Sequence, residues 1–481
     1  MNTLTTLRPL PLDLRADTAP ARFTLPQVSA AQRPLARAWL VLGLAALIGS
    51  GLFSVLLVLA RTPGINAWLP AGDFFRVALV VHVDLSVLVW FVAIAGLLWS
   101  LNLRAAPSRA ARACGWLALV LAAGGALSMA LAAFVDPGEA IMANYVPMLD
   151  SATFRAAVVE FAIGALLLVG LSLRRPAPVG AALDGAGALR FGLHASVVAG
   201  AVALLAFAWS LAVVPRALPA KGYYEILFWG GGHALQFTWT LLMLVGWLAL
   251  AQACGGRIPL SPRIVLLLFA LALAGVFGTP LTYLMHEVGT VEHRDMHTWG
   301  MRFGGGLAIL PLALAVLIAV VPLRGLQPTQ RPLRAALLAS MLLFVAGGLI
   351  GLTIQGSNVK IPAHYHGCIV GVTLALMGVV FHLLPRLGWQ APAGRLAVAQ
   401  PWLYGVGQLL HIVGLVWSGG YGVQRKVAGS EQVLRSAAEV WGMGLMGMGG
   451  LLAIVGGLLF VVVVLRAMRG AAAGAAGAAA R

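Results

Sequence analysis

The sequence predicts an all-α membrane protein, a bundle of twelve transmembrane helices, on three observations. Of its 481 residues 60% are hydrophobic and only 10% charged, and its mean hydropathy is +0.93, whereas a soluble domain carries about 25% charged residues. Apolar runs of about 20 residues, the length that crosses a bilayer, recur along the whole chain. Arginine clusters fall in every second connection between those runs, which is the charge pattern that orients spans in a membrane.

In order, the runs lie near 38–60, 76–100, 113–135, 153–173, 192–214, 224–252, 264–287, 299–322, 335–355, 362–384, 402–419 and 438–465. Residues 1–37 form a polar tail carrying Arg8, Arg15, Arg22, Arg33 and Arg37. Later basic groups are Arg104/Arg109/Arg112, Arg174/Arg175/Arg190, Arg257/Arg263, Arg324/Arg331/Arg334, Arg386/Arg395 and Arg466/Arg469. Both termini are therefore expected in the cytoplasm, as in a protein of a bacterial-type inner membrane. No cleavable signal peptide is read, because the first apolar run follows a long Arg-dotted stretch. Residues 38–466 form one membrane domain, and 467–481, rich in Ala and Gly, read as a disordered tail. The net charge of +17 belongs to this orientation pattern and not to nucleic-acid binding. Cys114, Cys254 and Cys368 lack metal-type spacing and read as packing residues.

The chemistry centres on Ile361-Pro362-Ala363-His364-Tyr365-His366-Gly367-Cys368. Two helical residues two apart point roughly 200° from each other, so His364 and His366 are suited to two centres, one on each side of a helix. The alternating topology converts position into depth. His82 lies six residues, roughly 9 Å, below the outer end of helix 2, and His233 nine residues, roughly 14 Å, into helix 6. Any one intramembrane histidine is as readily a hydrogen-bonded core imidazole as a ligand, but four from three helices share the outer part of the bilayer. Intramembrane polar residues are functional candidates, and imidazole is a common axial ligand of haem iron. The best-motivated pairing sets His82 and His366 as axial ligands of a low-spin haem, with His364 holding a second haem that faces His233.

With Val81-His82-Val83-Asp84-Leu85 in helix 2, Tyr224 to His233 through Trp229-Gly230-Gly231-Gly232 in helix 6, and Ala363-His364-Tyr365-His366 in helix 10, the chain resembles the catalytic subunit of the haem-copper oxidase superfamily. The resemblance covers nearly the whole chain. Leu384-Pro385-Arg386-Leu387 looks like the nitric oxide reductase and C-type oxidase branches. The resemblance implies the twelve-helix bundle of the subunit I type and a respiratory oxidoreductase. In it His82 and His366 ligate the low-spin haem, His364 is proximal to the high-spin haem, and His233 is one ligand of an opposing copper or non-haem iron. It also implies reduction of a small diatomic, O2 or NO, with electrons from a cytochrome c subunit or soluble cytochrome c, since the chain has no Cys-x-x-Cys-His attachment site.

Two departures accompany this. The family's adjacent helix-7 histidines fall on Leu281/Thr282 or Thr282/Tyr283, and His233 is followed by Ala234-Leu235-Gln236-Phe237. His286 and Glu287, about one turn later, would give with His233 a His/His/carboxylate set suited to iron or copper. The preferred alternative is that His286, Glu287, Glu292, His293, Asp295 and His297 form a polar outer loop. Tyr283, Gln236 and Glu160 are candidates for proton or ligand contacts, with hydrogen-bonded packing as the plainer role. Arg294, Arg302, Arg425 and Lys426 are candidates for haem propionates. His382, at the inner end of helix 10, and His411, near the middle of helix 11, are placed away from the haem depth, and His194 is read as interfacial. Two other classes stay open: a haem-only electron carrier or gas sensor that has lost the second metal, and, more remotely, a twelve-span transporter without haem.

Overall fold

The computed structural model describes residues 21–65, 72–104, 107–180, 183–428 and 431–470. Run after run of apolar residues folds into helices because, in lipid, each backbone N–H and C=O must find its partner within its own segment. The elements are α1 (Arg33–Arg61), α2 (Gly72–Val83) running through a π-helical turn (Asp84–Val89) into α3 (Trp90–Leu101), α4 (Arg109–Val135), β1 (Ala140–Ile141), β2 (Met148–Leu149), α5 (Ala152–Arg174), α6 (Gly185–Val213) and α7 (Ala220–Ala253). Then follow α8 (Pro262–Val276), α9 (Gly278–Met285), α10 (Val291–Gly304), α11 (Gly306–Val320), α12 (Gln330–Gly351), α13 (Lys360–Leu383), α14 (Arg395–Gly420) and α15 (Ala437–Arg469).

Counting α2–α3, α8–α9 and α10–α11 as one crossing each gives the twelve spans expected from the sequence. Among the described residues eleven are long and apolar enough to cross a membrane; the twelfth, α14, carries the buried polar residues Gln400 and His411. Leu52, Phe134, Leu310 and Trp441 lie on the outside of the bundle and are each more than half exposed, which suits a surface solvated by lipid tails. The protein is an integral membrane protein.

Helix starts are set locally. Ser108, Ser151, Asp184, Ser261, Thr290 and Ser436 each accept a backbone N–H of the following first turn, satisfying donors that a helix start leaves orphaned. Sequential neighbours α4/α5, α6/α7, α12/α13 and α14/α15 make the most extensive packing. In α14/α15 the backbones nearly touch: a Cβ on Gly407 or Gly414 would collide with α15 backbone, the small-residue contact typical of membrane helices.

Four boundaries differ from the sequence expectation. The first helix begins at Arg33 and the last runs to Arg469; residues 1–20 and 471–481 of the two expected tails lie outside the described residues. The expected seventh span breaks at Phe277 into α8 and α9. Most of the stretch His286–Arg302, expected as an outer loop, is the helix α10. Its charge density masked an amphipathic pattern: the Thr290 hydroxyl caps the first turn, and His293 and His297, four apart, share one face.

The three spans most enclosed by protein are α7, α13 and α2–α3, with 89%, 78% and 67% of their apolar windows buried. These are the spans that carry His233, His364/His366 and His82. The candidate chemistry thus sits in the middle of the bundle, nearer the face opposite the termini.

Candidate functional site

A ring nitrogen facing a carbonyl oxygen must carry the proton, because the carbonyl has none to give. This fixes the tautomer of four histidines, of which His233 and His411 are buried and His82 and His364 half-buried. His82 Nδ1 lies 3.0 Å from Ser50 O on α1, with Ser50 Oγ also at 3.0 Å. His364 Nδ1 lies 2.7 Å from Gly347 O on α12. His411 Nδ1 is 3.0 Å from Met446 O on α15, and His233 Nδ1 is 2.7 Å from Trp229 O one turn back on α7. In each ring Nε2 keeps its lone pair. Such a hydrogen bond on the far nitrogen is the usual way a ligating histidine is oriented and made more basic.

The first cluster joins α1, α2, α13 and α14. The His366 and His411 rings are 5.0 Å apart, and His82 and Arg61 lie in the neighbourhood of His366. His366 also stacks on its neighbour Tyr365 at 5.4 Å. The sequence reading set His411 away from this depth. The structure corrects that: His411 lies nine residues from the end of α14 at Gly420, roughly 14 Å, and its side chain points at His366. Arg61, held by Gln432 Oε1 at 3.1 Å and Gln424 O at 3.2 Å, was not singled out from sequence. It and Arg425 flank Tyr365.

His364 faces the other way, against α12. Gly351 makes room for it, since a Cβ there would stand 2.7 Å from His364 Nδ1. Among the described residues no hydrogen bond or ring contact joins His364 directly to His233.

The second cluster joins α7, α9, α10 and the β1–β2 hairpin. His233, His293 and His297 are 5%, 0% and 4% exposed. His293 Nε2 and His297 Nε2 are 3.3 Å apart, the His233 and His297 rings 5.9 Å apart and nearly parallel at 30°. Tyr283 stands edge-on to His293 at 4.8 Å, its hydroxyl 2.7 Å from Ser210 Oγ and donating to Ala206 O at 3.1 Å. Tyr145 Oη is 3.0 Å from His233 Nε2 and donates to it. The glycine run explains the close approach: a Cβ on Gly230 would clash with Tyr283 Oη and lie 2.9 Å from His297 Nε2, and one on Gly232 would enter the Tyr145 ring. The α10 helix is latched to α7 by Trp229 Nε1 donating to Arg294 O at 3.1 Å and by the Arg294 guanidinium 4.8 Å above the Trp229 ring.

His286 and Glu287 do not join His233: His286 ends α9 partly exposed and Glu287 is exposed. The physical reason is that α9 stops at Met285, and the residues brought back to His233 are those on the inward face of α10. His293, His297 and Tyr145 were missed; the i, i+4 histidine spacing was the readable signal. Of the other candidates, Glu160 packs at the α4/α5 contact against Gly124, Gln236 is half-buried on α7, and Arg302 is exposed. His382 lines a groove with Arg22, Gln252 and Arg386, and His194 another with Arg104 and Arg190.

The hairpin carrying Tyr145 is pinned from both sides. Glu225 of α7 accepts from Asn144 N at 2.9 Å and from Asn144 Nδ2, and Lys426 donates to Met142 O at 2.6 Å. Burial, with help from Arg425 and against the pull of Glu225, lowers the Lys426 ammonium to about 8. Burial and the Glu225 charge raise the Tyr145 hydroxyl above its ordinary range. At the hairpin base, hydrogen bonds from Ser151 and Thr153 lower the Asp136 carboxylate.

The family profile of "Cytochrome C and Quinol oxidase polypeptide I" matches residues 34–468. The chain belongs to this family. Cytochrome and quinol oxidase polypeptide I is the haem-copper oxidase subunit I, and membership makes the chain a respiratory oxidoreductase subunit. An uncharacterized protein of Rickettsia prowazekii (strain Madrid E) is 28% identical over 494 residues, covering 89% of this chain and 95% of its own. An uncharacterized protein of Aquifex aeolicus (strain VF5) is 28% identical, covering 74% and 86%. Cytochrome c oxidase subunit 1 of Thermus thermophilus is 27% identical over 45% of this chain and 43% of its own. A heme-copper terminal oxidase dimer solved by cryo-EM superposes with a TM-score of 0.67 at 17% identity, covering 92% of this chain and 84% of that one, which shows the shared fold.

Haem-copper oxidase subunits hold haems and a copper or iron. The donor sets on His82 and His364 fit haem ligation, each with Nδ1 tied to backbone and Nε2 uncommitted. At the family's helix-7 positions the fit fails: Leu281 is 56% exposed, and neither Leu nor Thr282 is a soft or borderline metal ligand. Among the described residues no three His, Cys, Asp or Glu side chains already close around one point.

Proposed function

We propose that the protein is the haem-bearing subunit of a respiratory membrane oxidoreductase in which His82 and His366 hold a low-spin haem and His364 a high-spin one, and O2 or NO is reduced beside the latter. The reading is carried by the tautomer-setting bonds of His82 to Ser50 and His364 to Gly347, on α2–α3 and α13, two of the three spans most enclosed by the bundle. Bound there, the two haems would supply one-electron carriage and a reactive iron. The residues of this chain do the rest. Ser50 and Gly347 orient the ligating rings. Arg61 and Arg425, at the face opposite the termini, offer charge to propionates; Lys426 and Arg294 are instead committed to the hairpin and to Trp229. Tyr145 and Tyr283 are the hydroxyls placed at the second cluster, Tyr145 donating to an imidazole and Tyr283 to a carbonyl. Electrons would enter from a cytochrome c subunit or soluble cytochrome c on that same face, with both termini in the cytoplasm of a bacterial-type cell.

The test is haem quantification with reduced and carbon monoxide difference spectra of the purified protein. His82→Ala and His366→Ala should each remove low-spin absorbance, while His364→Ala should spare it and abolish carbon monoxide binding. Unchanged carbon monoxide binding in His364→Ala would overturn the assignment of the second haem. One observation favours a second reading, a haem-only electron carrier or gas sensor: Leu281, Thr282 and Tyr283 stand where the family has its histidine pair.

A further inference from the structure

We propose that the second cluster is a copper site whose ligands have moved: His233 of α7 with His293 and His297 of α10, in place of the adjacent helix-7 pair. This deepens the reading above but does not depend on haem, since the three imidazoles belong to the chain itself.

The geometry of two of the three is already that of ligands. Two nitrogens each ~2.0–2.1 Å from one tetrahedral ion stand ~3.3–3.4 Å apart, and His293 Nε2 and His297 Nε2 are 3.3 Å apart. Without an ion that contact needs one ring to donate Nε2–H to the other, and a donating His293 would keep its proton off Nδ1. His293 Nδ1 is buried and has no partner. With an ion between them both rings present Nε2 lone pairs, while His293 Nδ1–H would still lack an acceptor; the 3.3 Å approach of the two Nε2 atoms carries the proposal. His233 presents the same nitrogen, held by the Tyr145 hydroxyl at 3.0 Å, which the ion would displace.

The surroundings disfavour non-haem iron. Three neutral imidazoles and no carboxylate suit copper better than non-haem iron, whose sites combine two histidines with a carboxylate. Glu287 and Glu292 are both exposed and turned out of the cluster. Gly230 is part of the construction, because any side chain there would push His297 away from α7.

The experiment titrates the purified full-length protein, as isolated and after chelation, with Cu(II), and reads stoichiometry and the nitrogen couplings in the EPR spectrum. The wild type should bind one copper with couplings from three imidazole nitrogens. His293→Ala, His297→Ala and Gly230→Ala should each weaken binding by more than about 10-fold, the low end of what even an outer-shell change costs, with haem content and helicity unchanged. His286→Ala should bind as wild type, and Tyr145→Phe at least as tightly, since a competitor for His233 is removed. His293→Asn and His297→Asn repeat the test should an alanine variant fail to fold. Stoichiometric copper retained in the His293 and His297 variants, or no tight copper in the wild type, overturns the proposal. Absence of haem from the wild type would instead sink the proposed function while leaving the copper result to stand or fall alone.

Discussion

His364 Nδ1 donates to the Gly347 carbonyl oxygen at 2.7 Å, so the orientation of the ring that would face the second haem is set by the neighbouring helix α12. Gly351 lies one turn further along, where an added Cβ would meet the ring at 2.7 Å. Gly351→Ala should therefore lower carbon monoxide affinity or occupancy while sparing low-spin absorbance. Gly348→Ala, whose Cβ would meet nothing, is the control and should leave both spectra unchanged.

His411 is 5.0 Å from His366 yet anchored to α15. If His82 and His366 are the axial pair, His411→Ala keeps the low-spin spectrum. The expected loss is in stability, on the order of 1–3 kcal/mol for leaving Met446 O unpaired in the interior. A high-spin spectrum in His411→Ala would show that His411 is one of the two axial ligands, in place of His366 or His82.

Asp84 is fully buried in the π-helical turn just after His82, and neither carboxyl oxygen has a partner. Replacing an unsatisfied polar group by an apolar one of similar size is neutral to stabilising, so Asp84→Leu should leave the thermal midpoint in detergent unchanged or raised. π-Helical turns are frequent at functional sites. A variant that keeps haem and stability but loses turnover would place Asp84 in the proton supply.

Lys426 gives a pH dependence. Its folded value, about 8, lies below the ordinary lysine value of 10.5, so the unfolded chain binds the proton more tightly. The penalty is fully present below pH 8 and is relieved as pH rises from there toward 10.5. Stability measured across that window should rise by this contribution, and Lys426→Met should flatten it. A difference between wild type and variant that does not change with pH would refute the burial of a charged amine.

Much was legible in the chain. Hydropathy alone placed twelve spans, because lipid leaves the backbone no alternative to helix, and the two-residue spacing of His364 and His366 dictated that they serve opposite sides of α13 whatever surrounds them. His82 and His233 followed from depth arithmetic. That arithmetic failed for His411, since depth along one helix does not say which way a ring points or how far neighbouring helices are shifted.

The α10 helix shows the boundary most clearly. Val291-Glu292-His293-Arg294-Asp295-Met296-His297 reads as a polar connection because its charges outnumber its apolar residues, and no rule of composition reveals that its histidine face is covered. Only the packing of α10 on α7, with Trp229 latching Arg294 and Gly230 admitting His297, takes those two rings out of water. Likewise Tyr145 sits 88 residues from His233 in sequence and reaches it because Glu225 and Lys426 hold the hairpin down. The sequence by itself determined the membrane class, the spans and the opposite facing of His364 and His366 on α13, since each depends on local spacing and hydropathy. The tertiary structure decided which histidines share a site, because that depends on side-chain direction and on helices meeting across gaps in sequence that periodicity does not encode.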